Sequence, residues 1–178
     1  MTRSPEQPLL LGEWACLGIL CPAPAHGFAI AARLKPEGDI GRVWSLSRAL
    51  TYRSLEQLTH CGHIRPVGEE PGIAGGTRTL LAATTSGRRQ LRRWLNTPVA
   101  HQRDLRSELL LKLILSDQCG VDPRPMLAAQ SELIERRAAA IRVASDSAGS
   151  PQERLDVVAL WRHESAEAAL RFLDRLLS

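Results

Sequence analysis

The chain has 178 residues, 44% of them hydrophobic and 24% charged, and a formal net charge of +4 at pH 7. This length suits one compact domain or two small ones, and the apolar share is ample for packed cores. No apolar run approaches the ~20 residues that a membrane-spanning helix requires. The polar, Pro-bearing N-terminus lacks the apolar stretch of a secretory signal, so a cytoplasmic protein is expected.

The cysteines and histidines form no pattern typical of a metal site. There is no C-x-x-C pair, and although His60 and His63 could share one helix face, a third ligand is not evident. A Walker-type loop, a G-x-S-x-G turn and an H-E-x-x-H helix are also absent from the sequence, so we expect neither an enzyme nor a cofactor. We expect buried, reduced thiols, with a redox-active thiol as the alternative. The cysteines are Cys16, Cys21, Cys61 and Cys119.

Positive charge is concentrated in the first hundred residues. Residues 1–100 hold 12 Lys and Arg against 7 Asp and Glu, a net charge of +5. Residues 101–178 hold 11 against 12, a net charge of −1. Because nucleic-acid phosphates attract such an excess of cations, the N-terminal part is the candidate DNA-binding region.

Two short helices are predicted at the start of the chain. The first, Leu9–Cys21, has an apolar stripe at helical spacing and ends at Pro22. His26 then opens a second helix, Phe28–Leu34, whose Phe28 is expected to pack on the first. His26 either contacts a phosphate at this helix N-terminus, where backbone N–H groups favour anions, or only caps or packs the helix.

The rest of the chain is organised around a third helix, predicted within residues 44–64. Ser45 or Ser47 can cap its first turn, and Cys61-Gly62 can end it with a left-handed turn. At about 100° per residue, one side is buried and the opposite side has small residues and a cation. Such a helix could enter a DNA major groove, but periodicity alone also fits an ordinary amphipathic helix. The inward residues are Thr51, Leu55, Leu58 and Gly62, and the outward ones are Ala49, Leu50, Arg53 and Gln57.

A hairpin is predicted directly after this helix. An extended run at His63–Val67 is followed by a loop at Gly68–Gly76, a strand at Thr77–Ala83 and a helix over Arg88–Leu95. Helix, strand, Gly-rich tip and strand form the layout of a winged helix-turn-helix. In that motif the helix reads bases and the hairpin tip lies beside the nucleic-acid backbone.

The predicted DNA contacts come from the third helix, the wing and the start of the second helix. Arginine can grip a phosphate or bind guanine O6 and N7 together. Arg53 projects furthest from the apolar side and is assigned to base readout, and Arg48 to phosphate. The four arginines within Arg88–Arg93 face either solvent or an anionic partner. The full set of predicted contacts is Ser47, Arg48, Tyr52, Arg53, Gln57, Thr77, Arg78 and His26.

Four motifs occur in order between residues 9 and 115. The first is Leu17-Gly18-Ile19-Leu20 with His26-Gly27-Phe28. The second is Y-x-x-L-x-x-L-x-x-x-G-x-I, formed by Tyr52, Leu55, Leu58, Gly62 and Ile64. The third is Thr84-x-x-Gly87 with Leu91 and Trp94, and the fourth is R-x-E-L-x-x-K-L at Arg106–Leu113. In these motifs the chain resembles the PadR family of bacterial transcriptional regulators. Phe28 stands where that family usually has Tyr, and Leu81 stands at its usual wing Tyr.

Beyond a hinge at Asn96–Gln102, three helices are predicted: Arg103–Ser116, Pro125–Ala144 and Pro151–Leu177. Their apolar sides are more than a small monomeric domain can readily bury, so a second copy is the expected partner. The resemblance implies dimerisation through these C-terminal helices. It also suggests a small-molecule effector between the two parts of the chain or at the dimer interface, although we assign no ligand. The candidate lining residues are Trp14, Trp94 and Trp161.

We therefore predict a mainly α (α+β) fold with two domains: residues 1–96, a winged helix-turn-helix with a two-stranded wing, and residues 103–178, a helical dimerisation domain. The predicted function is a sequence-specific, homodimeric, DNA-binding repressor that recognises a palindromic operator. The alternative is a winged-helix module that binds protein instead of DNA. Such a module would present an uncharged or acidic recognition surface, which Arg48, Arg53 and Arg78 argue against.

Overall fold

The computed structural model describes residues 7–71, 76–146 and 157–178. For residues 141–146 it describes the backbone alone. The chain forms two compact units. The first comprises Met1–Leu95 and Arg106–Asp122, and the second comprises Asn96–Leu105 and Pro123–Ser178. No helix in the described ranges is long and apolar enough to span a membrane.

Five helices form most of the first unit. Four of them were predicted within a few residues of their ends, whereas the last begins seven residues after the predicted start at Arg103. A 3-10 turn at Gln102–Asp104 and a π-helical turn at Leu105–Leu109 precede the last of them. The helices are α1 (Leu11–Leu20), α2 (Gly27–Arg33), α3 (Arg48–His60), α4 (Thr85–Leu95) and α5 (Leu110–Cys119).

The sheet of the first unit is antiparallel, with the strand order β1-β3-β2. Its strands are β1 (Ala25–His26), β2 (Ile64–Pro71) and β3 (Thr77–Ala83). The two-stranded wing was predicted, but the short strand β1, which pairs with Leu80 and Leu81, was not. The predicted loop at Gly68–Gly76 was wrong for its first four residues, which continue β2.

Strand β2 extends beyond the predicted run at His63–Val67, because the β2–β3 ladder accommodates Pro66. The register of the β2–β3 ladder shifts by one residue between Pro66 and Gly68, and pairing then continues to Pro71 opposite Thr77. A bulge on an edge strand is a position where a residue without a backbone N–H can be accommodated. The two strands of the wing are therefore paired as far as Pro71 and Thr77.

Helix α1 lies at the centre of the first unit. Every residue from Gly12 to Leu20 is buried, so the helix is covered all round and not only along the one predicted stripe. It packs against α3, α4, α5 and β3. Helix α5 lies beyond the predicted boundary at residues 96–103, yet its fully buried Leu111 and Leu115 belong to the same core as Leu17.

The base of the wing is fixed by one threonine and one glycine. The hydroxyl of Thr84 donates to the carbonyl oxygens of Gly62 and His63, at 2.8 and 3.1 Å, and accepts from the N–H of Gly87 at 3.0 Å. A Cβ at Gly87 would lie 2.1 Å from the carbonyl oxygen of His63. The T-x-x-G motif thus joins the end of α3 to the start of α4, where only glycine fits.

The second unit is built from two packed helices, α6 (Arg124–Asp146) and α7 (Val157–Leu177). The side chain of Gln130 is buried and holds the backbone of Val99: its oxygen accepts from the N–H at 2.6 Å, and its nitrogen donates to the carbonyl oxygen at 3.3 Å. The predicted helices match α6 and α7, although residues 151–156 of the last prediction lie outside the described ranges. Buried contacts come from Ile134, Ala138, Ala166 and Leu173.

We expect Gly87→Ala to lower the free energy of unfolding by about 1–3 kcal/mol, because the added methyl group forces α4 away from the carbonyl of His63. Chemical denaturation of the purified protein measures this value. Gly68→Ala is the matched control, since nothing lies within 4 Å of a Cβ at that position. It should change stability by less than about 0.5 kcal/mol. Equal losses for the two variants would contradict the close approach at Gly87.

Candidate nucleic-acid interface

Helix α3 begins at a defined side-chain cap. The hydroxyl oxygen of Ser47 accepts from the N–H of Leu50 at 3.3 Å, so Ser47, and not Ser45, caps this helix. The hydroxyl of Thr51 donates to the carbonyl oxygen of Ser47 at 3.0 Å and is fully buried. These bonds set where the first turn begins and therefore which way Arg48 projects.

Helices α2 and α3 and strand β3 border an open cleft of about 720 Å³. Its lining also includes Glu56 and His60 from the outer side of α3. Five of the eight predicted contacts come together here, although they lie in three separate segments of the chain. These residues are His26, Arg48, Tyr52, Thr77 and Arg78.

An exposed aromatic ring holds two arginines at this cleft. The guanidinium carbon of Arg48 lies 5.8 Å from the ring centre of Phe28, and that of Arg78 lies 5.8 Å from the same ring. Arg48 is also 5.6 Å from the ring centre of Tyr52. Cations at such distances are attracted to the ring faces. We call Phe28, Arg48 and Arg78 the arginine–phenylalanine cluster.

The role of Phe28 was missed by sequence reasoning. We expected it to pack on the first helix, but its side chain is 52% exposed and lies at the cleft. Its position within the H-G-[Y/F] motif was the available signal. Nothing local indicated that Arg48 and Arg78, which lie 20 and 50 positions further along the chain, would meet at this ring.

His26 caps helix α2. Its Nδ1 accepts from the backbone N–H of Ala29 at 3.1 Å, so the neutral ring carries its proton on Nε2. That nitrogen is a donor, and the side chain lines the cleft. Of the two alternatives that the sequence left open, the structure shows the cap. The side chain also borders the candidate binding surface, and the phosphate contact stays a prediction.

Arg53 and Gln57 lie on a different side of α3 from the cluster. Arg53 is exposed and borders a second cavity, of about 590 Å³, between α3, the start of α1 and Leu46. The predicted outward position of Gln57 is wrong: it is only 5% exposed, and its amide nitrogen donates to the sulfur of Cys61 at 3.2 Å. The prediction assumed one buried side, whereas α1 packs over a second side of α3.

The arginines of α4 lie at a third place. The guanidinium of Arg88 donates to the carbonyl oxygen of Cys21 at the end of α1. Together with Arg89 and Arg92 it lines a separate cavity, whose other residues include Cys119. These three side chains are exposed, and the two alternatives for the group, solvent or an anionic partner, both stay open.

Among residues 7–71, 76–146 and 157–178, no group of three or more His, Cys, Asp or Glu side chains could hold a metal ion. The pair His60 and His63 therefore has no third ligand in the described part of the chain. Arg48 of α3 and Arg78 of β3 supply positive charge at the cleft.

The fold defines the class of the protein. Helices α2 and α3, joined by residues 34–47 and followed by the antiparallel β2–β3 hairpin, form a winged helix-turn-helix, and a helical C-terminal part follows. This is the fold class that the sequence predicted. Its α3 is the element in the position of a recognition helix.

Three solved structures are similar to this chain over most of its length. Bacillus subtilis PadR, solved in complex with operator DNA, is 19% identical, with a TM-score of 0.49 and coverage of 96% of this chain and 100% of that one. The protein smu.1604c from Streptococcus mutans UA159 is 16% identical (TM-score 0.45; coverage 94% and 99%). The PadR-like transcriptional regulator BC1756 from Bacillus cereus is 20% identical (TM-score 0.40; coverage 93% and 95%). No family model and no curated protein matches the chain.

We expect the arginine–phenylalanine cluster to be visible in the free protein by NMR. Ring currents should shift the side-chain resonances of both Arg48 and Arg78, and Phe28→Leu should return both toward ordinary values. Tyr52→Leu is the matched control, because that ring contacts Arg48 and should alter its resonances alone. Unshifted resonances for both arginines in the unmodified protein would contradict the cluster.

Proposed function

We propose that the protein is a PadR-type transcriptional regulator that binds double-stranded DNA in the cytoplasm as a homodimer and represses transcription from a palindromic operator. The observation that carries this proposal is the arginine–phenylalanine cluster. It brings a cation from the start of α3 and a cation from the wing to one exposed ring. A phosphate-binding surface that spans helix and wing requires cations or hydrogen-bond donors from both elements, and the cluster provides one cation from each.

The cluster lowers the cost of binding a phosphate. A free arginine side chain loses rotamer freedom when it engages a ligand, whereas one already stacked on a ring loses less. The ring of Phe28 restricts the rotamers of both Arg48 and Arg78, and the ring of Tyr52 further restricts those of Arg48. We propose that Arg48 and Arg78 bind backbone phosphates and that Nε2 of His26 and the hydroxyl of Thr77 add hydrogen bonds beside them.

Base readout is assigned to the exposed side of α3 that carries Arg53. Arg48 and Arg53 lie on different sides of the helix, so one can rest on the backbone while the other reaches base edges in the major groove. Ser47 is proposed to act by capping and orienting α3, because its hydroxyl is engaged with Leu50. Gln57 has no part in this assignment, since it is buried.

Alanine variants separate the two kinds of contact. Arg48→Ala and Arg78→Ala should weaken binding to operator and random duplexes alike, each reducing the slope of log affinity against log salt by about 1. Arg53→Ala should cost about 1–3 kcal/mol on the operator and relax the preference at one position per half-site. The readout is a fluorescence-anisotropy salt series on a duplex selected from a random pool.

The matched control for these variants is Arg136→Ala, which removes an exposed arginine from α6 in the second unit. It should leave affinity and salt slope unchanged. Unchanged binding by Arg48→Ala would overturn the phosphate assignment, and equal losses by Arg53→Ala on both duplexes would make Arg53 a phosphate contact.

The proposed dimer rests on the exposed apolar side chains of α7. Trp161 is 71% exposed, and Val157 and Leu160 beside it are also mostly exposed. Apolar groups of this size concentrated on one helix are typical of a protein interface. A twofold pair would give the protein two α3 helices, and a palindromic operator would present half-sites about 34 Å apart.

Trp161→Glu should convert the dimer to a monomer, because it places a charge in the proposed apolar interface. Sedimentation equilibrium measures the mass, and operator affinity should fall with it. Arg42→Glu, a charge change at an exposed residue of the first unit, is the control and should stay dimeric. A monomeric unmodified protein, or a Trp161→Glu variant that remains dimeric, would contradict the proposed interface.

A small-molecule effector remains a prediction of the resemblance. Trp14 and Trp94 stack on one another, with ring centres 4.8 Å apart and planes 7° from parallel, so a ligand cannot enter between these two rings. The alternative function, a winged-helix module that binds protein instead of DNA, would present an uncharged or acidic surface, and Arg48 and Arg78 at the cleft argue against it. Lack of DNA binding even at low salt would favour that alternative.

A further inference from the structure

A cavity of about 450 Å³ lies where α4 crosses the ends of α1 and α5. Cys21 directly follows α1, and Cys119 is the last residue of α5. Both cysteines line this cavity, together with Arg88 and Arg92 of α4. Two thiols that are 98 positions apart in the sequence are thus brought to one pocket by the packing of the core.

The two thiols contact each other and differ in accessibility. Their side chains are hydrogen-bonded to one another, and the thiol of Cys119 also donates to the carbonyl oxygen of Gly18, with the sulfur 3.7 Å from that oxygen. Cys21 is 7% exposed, whereas Cys119 is partly exposed at the cavity. A small solute in the cavity therefore has more access to Cys119 than to Cys21.

The surrounding charges make the two sulfurs chemically different. The hydrogen bond from Cys21 lowers the pKa of Cys119, and the guanidiniums of Arg88, Arg33 and Arg92 lower it further against the opposing effect of burial. The same hydrogen bond and burial raise the pKa of Cys21. Asp39 faces Arg33 through an ion pair of 2.6 Å and offsets part of its charge. The pKa of Cys119 is therefore lowered and that of Cys21 raised, so of these two thiols Cys119 is the one that loses its proton more readily.

The other two cysteines lack this setting. Cys16 is fully buried in the core, and burial is the main cause that raises its pKa to about 12. Cys61 accepts a hydrogen bond from the amide of Gln57 at the end of α3. Since the thiolate is the reactive form of cysteine, reactivity is expected at Cys119.

We propose that Cys119 and Cys21 form a peroxide-reactive thiol pair, with Cys119 as the nucleophile and Cys21 as the resolving thiol. The Cys119 thiolate attacks one oxygen of a hydroperoxide such as hydrogen peroxide: an S–O bond forms, the O–O bond breaks, and the leaving hydroxide takes a proton to become water. Cys119 is now a sulfenic acid. The sulfur of Cys21 attacks it, an S–S bond forms, and hydroxide leaves with the Cys21 proton as a second water.

The overall step is balanced: two thiols are oxidised by two electrons, and one hydrogen peroxide is reduced to two waters. The product disulfide would join the end of α1 to the end of α5 inside the first unit. This site is independent of the proposed DNA function, because it requires only the fold of that unit.

The test uses the full-length, reduced protein treated with hydrogen peroxide. Intact mass spectrometry should show the loss of two hydrogens, and peptide mapping should find Cys21 linked to Cys119 within one chain. In Cys21→Ser, Cys119 should stop at sulfenic acid and be captured by a 1,3-diketone probe. In Cys119→Ser, Cys21 should stay reduced and uncaptured. Cys61→Ser is the control and should form the same disulfide at the unmodified rate.

A measurement on the unmodified protein tests the proposal without relying on variants that fold poorly. Limited alkylation of the reduced chain by iodoacetamide should label Cys119 before Cys61, and thermal unfolding should verify that each variant is folded. Oxidation that begins at Cys61, a disulfide between chains, or a protein that keeps four free thiols in excess peroxide would overturn the proposal.

Discussion

A buried cation joins the three helices on which the first unit depends. Lys112 of α5 is only 1% exposed; its Nζ lies 2.9 Å from a carboxylate oxygen of Glu108 and 4.8 Å from the ring centre of Trp94. Trp94 of α4 stacks in turn on Trp14 of α1. Burial lowers the pKa of Lys112, and Glu108 opposes that shift. A charge removed from water needs these partners, so α5 is held against α1 and α4.

The packing of α1, α4 and α5 explains how three distant segments, α2, α3 and β3, form one candidate binding surface. Helix α1 is buried on all sides, and α3, α4 and β3 take their positions from it. Thr84 and Gly87 fix the base of the wing to the end of α3. With α2, α3 and β3 thus placed, the arginine–phenylalanine cluster forms from one residue of each. The candidate binding surface therefore depends on how the core is packed, although the three side chains of the cluster themselves lie at the cleft.

Local signals in the sequence were sufficient for most elements. A serine before an amphipathic run and a glycine after it predicted both ends of α3, and the cap at Ser47 and the positive φ of Gly62 (68°) confirm those predictions. The strand-like run at Thr77–Ala83 and the helical segment at Pro125–Ala144 were likewise recognised, and they correspond to β3 and α6. Helices and their ends depend on hydrogen bonds within a few residues, and the chain carries that information directly.

Features that depend on distant contacts could not be predicted. Gln57 was placed outward because periodicity along one helix does not show that α1 covers a second side of it. Phe28 was placed in the core because its partners, Arg48 and Arg78, lie in other elements. The segment around Thr97-Pro98 looked like the hinge between two parts, yet Lys112, beyond it, contacts Trp94. Short strand β1 exists only because β3 offers it a pairing edge.

The most direct test of the central claim is binding of the unmodified protein to the DNA upstream of its own gene and to a scrambled duplex of equal length, across a salt series. The account predicts clear preference for one sequence at moderate salt, with log affinity falling linearly against log salt as counterions are released from several phosphates. Absence of binding to either duplex at low salt would contradict a DNA-binding function for the cationic cleft.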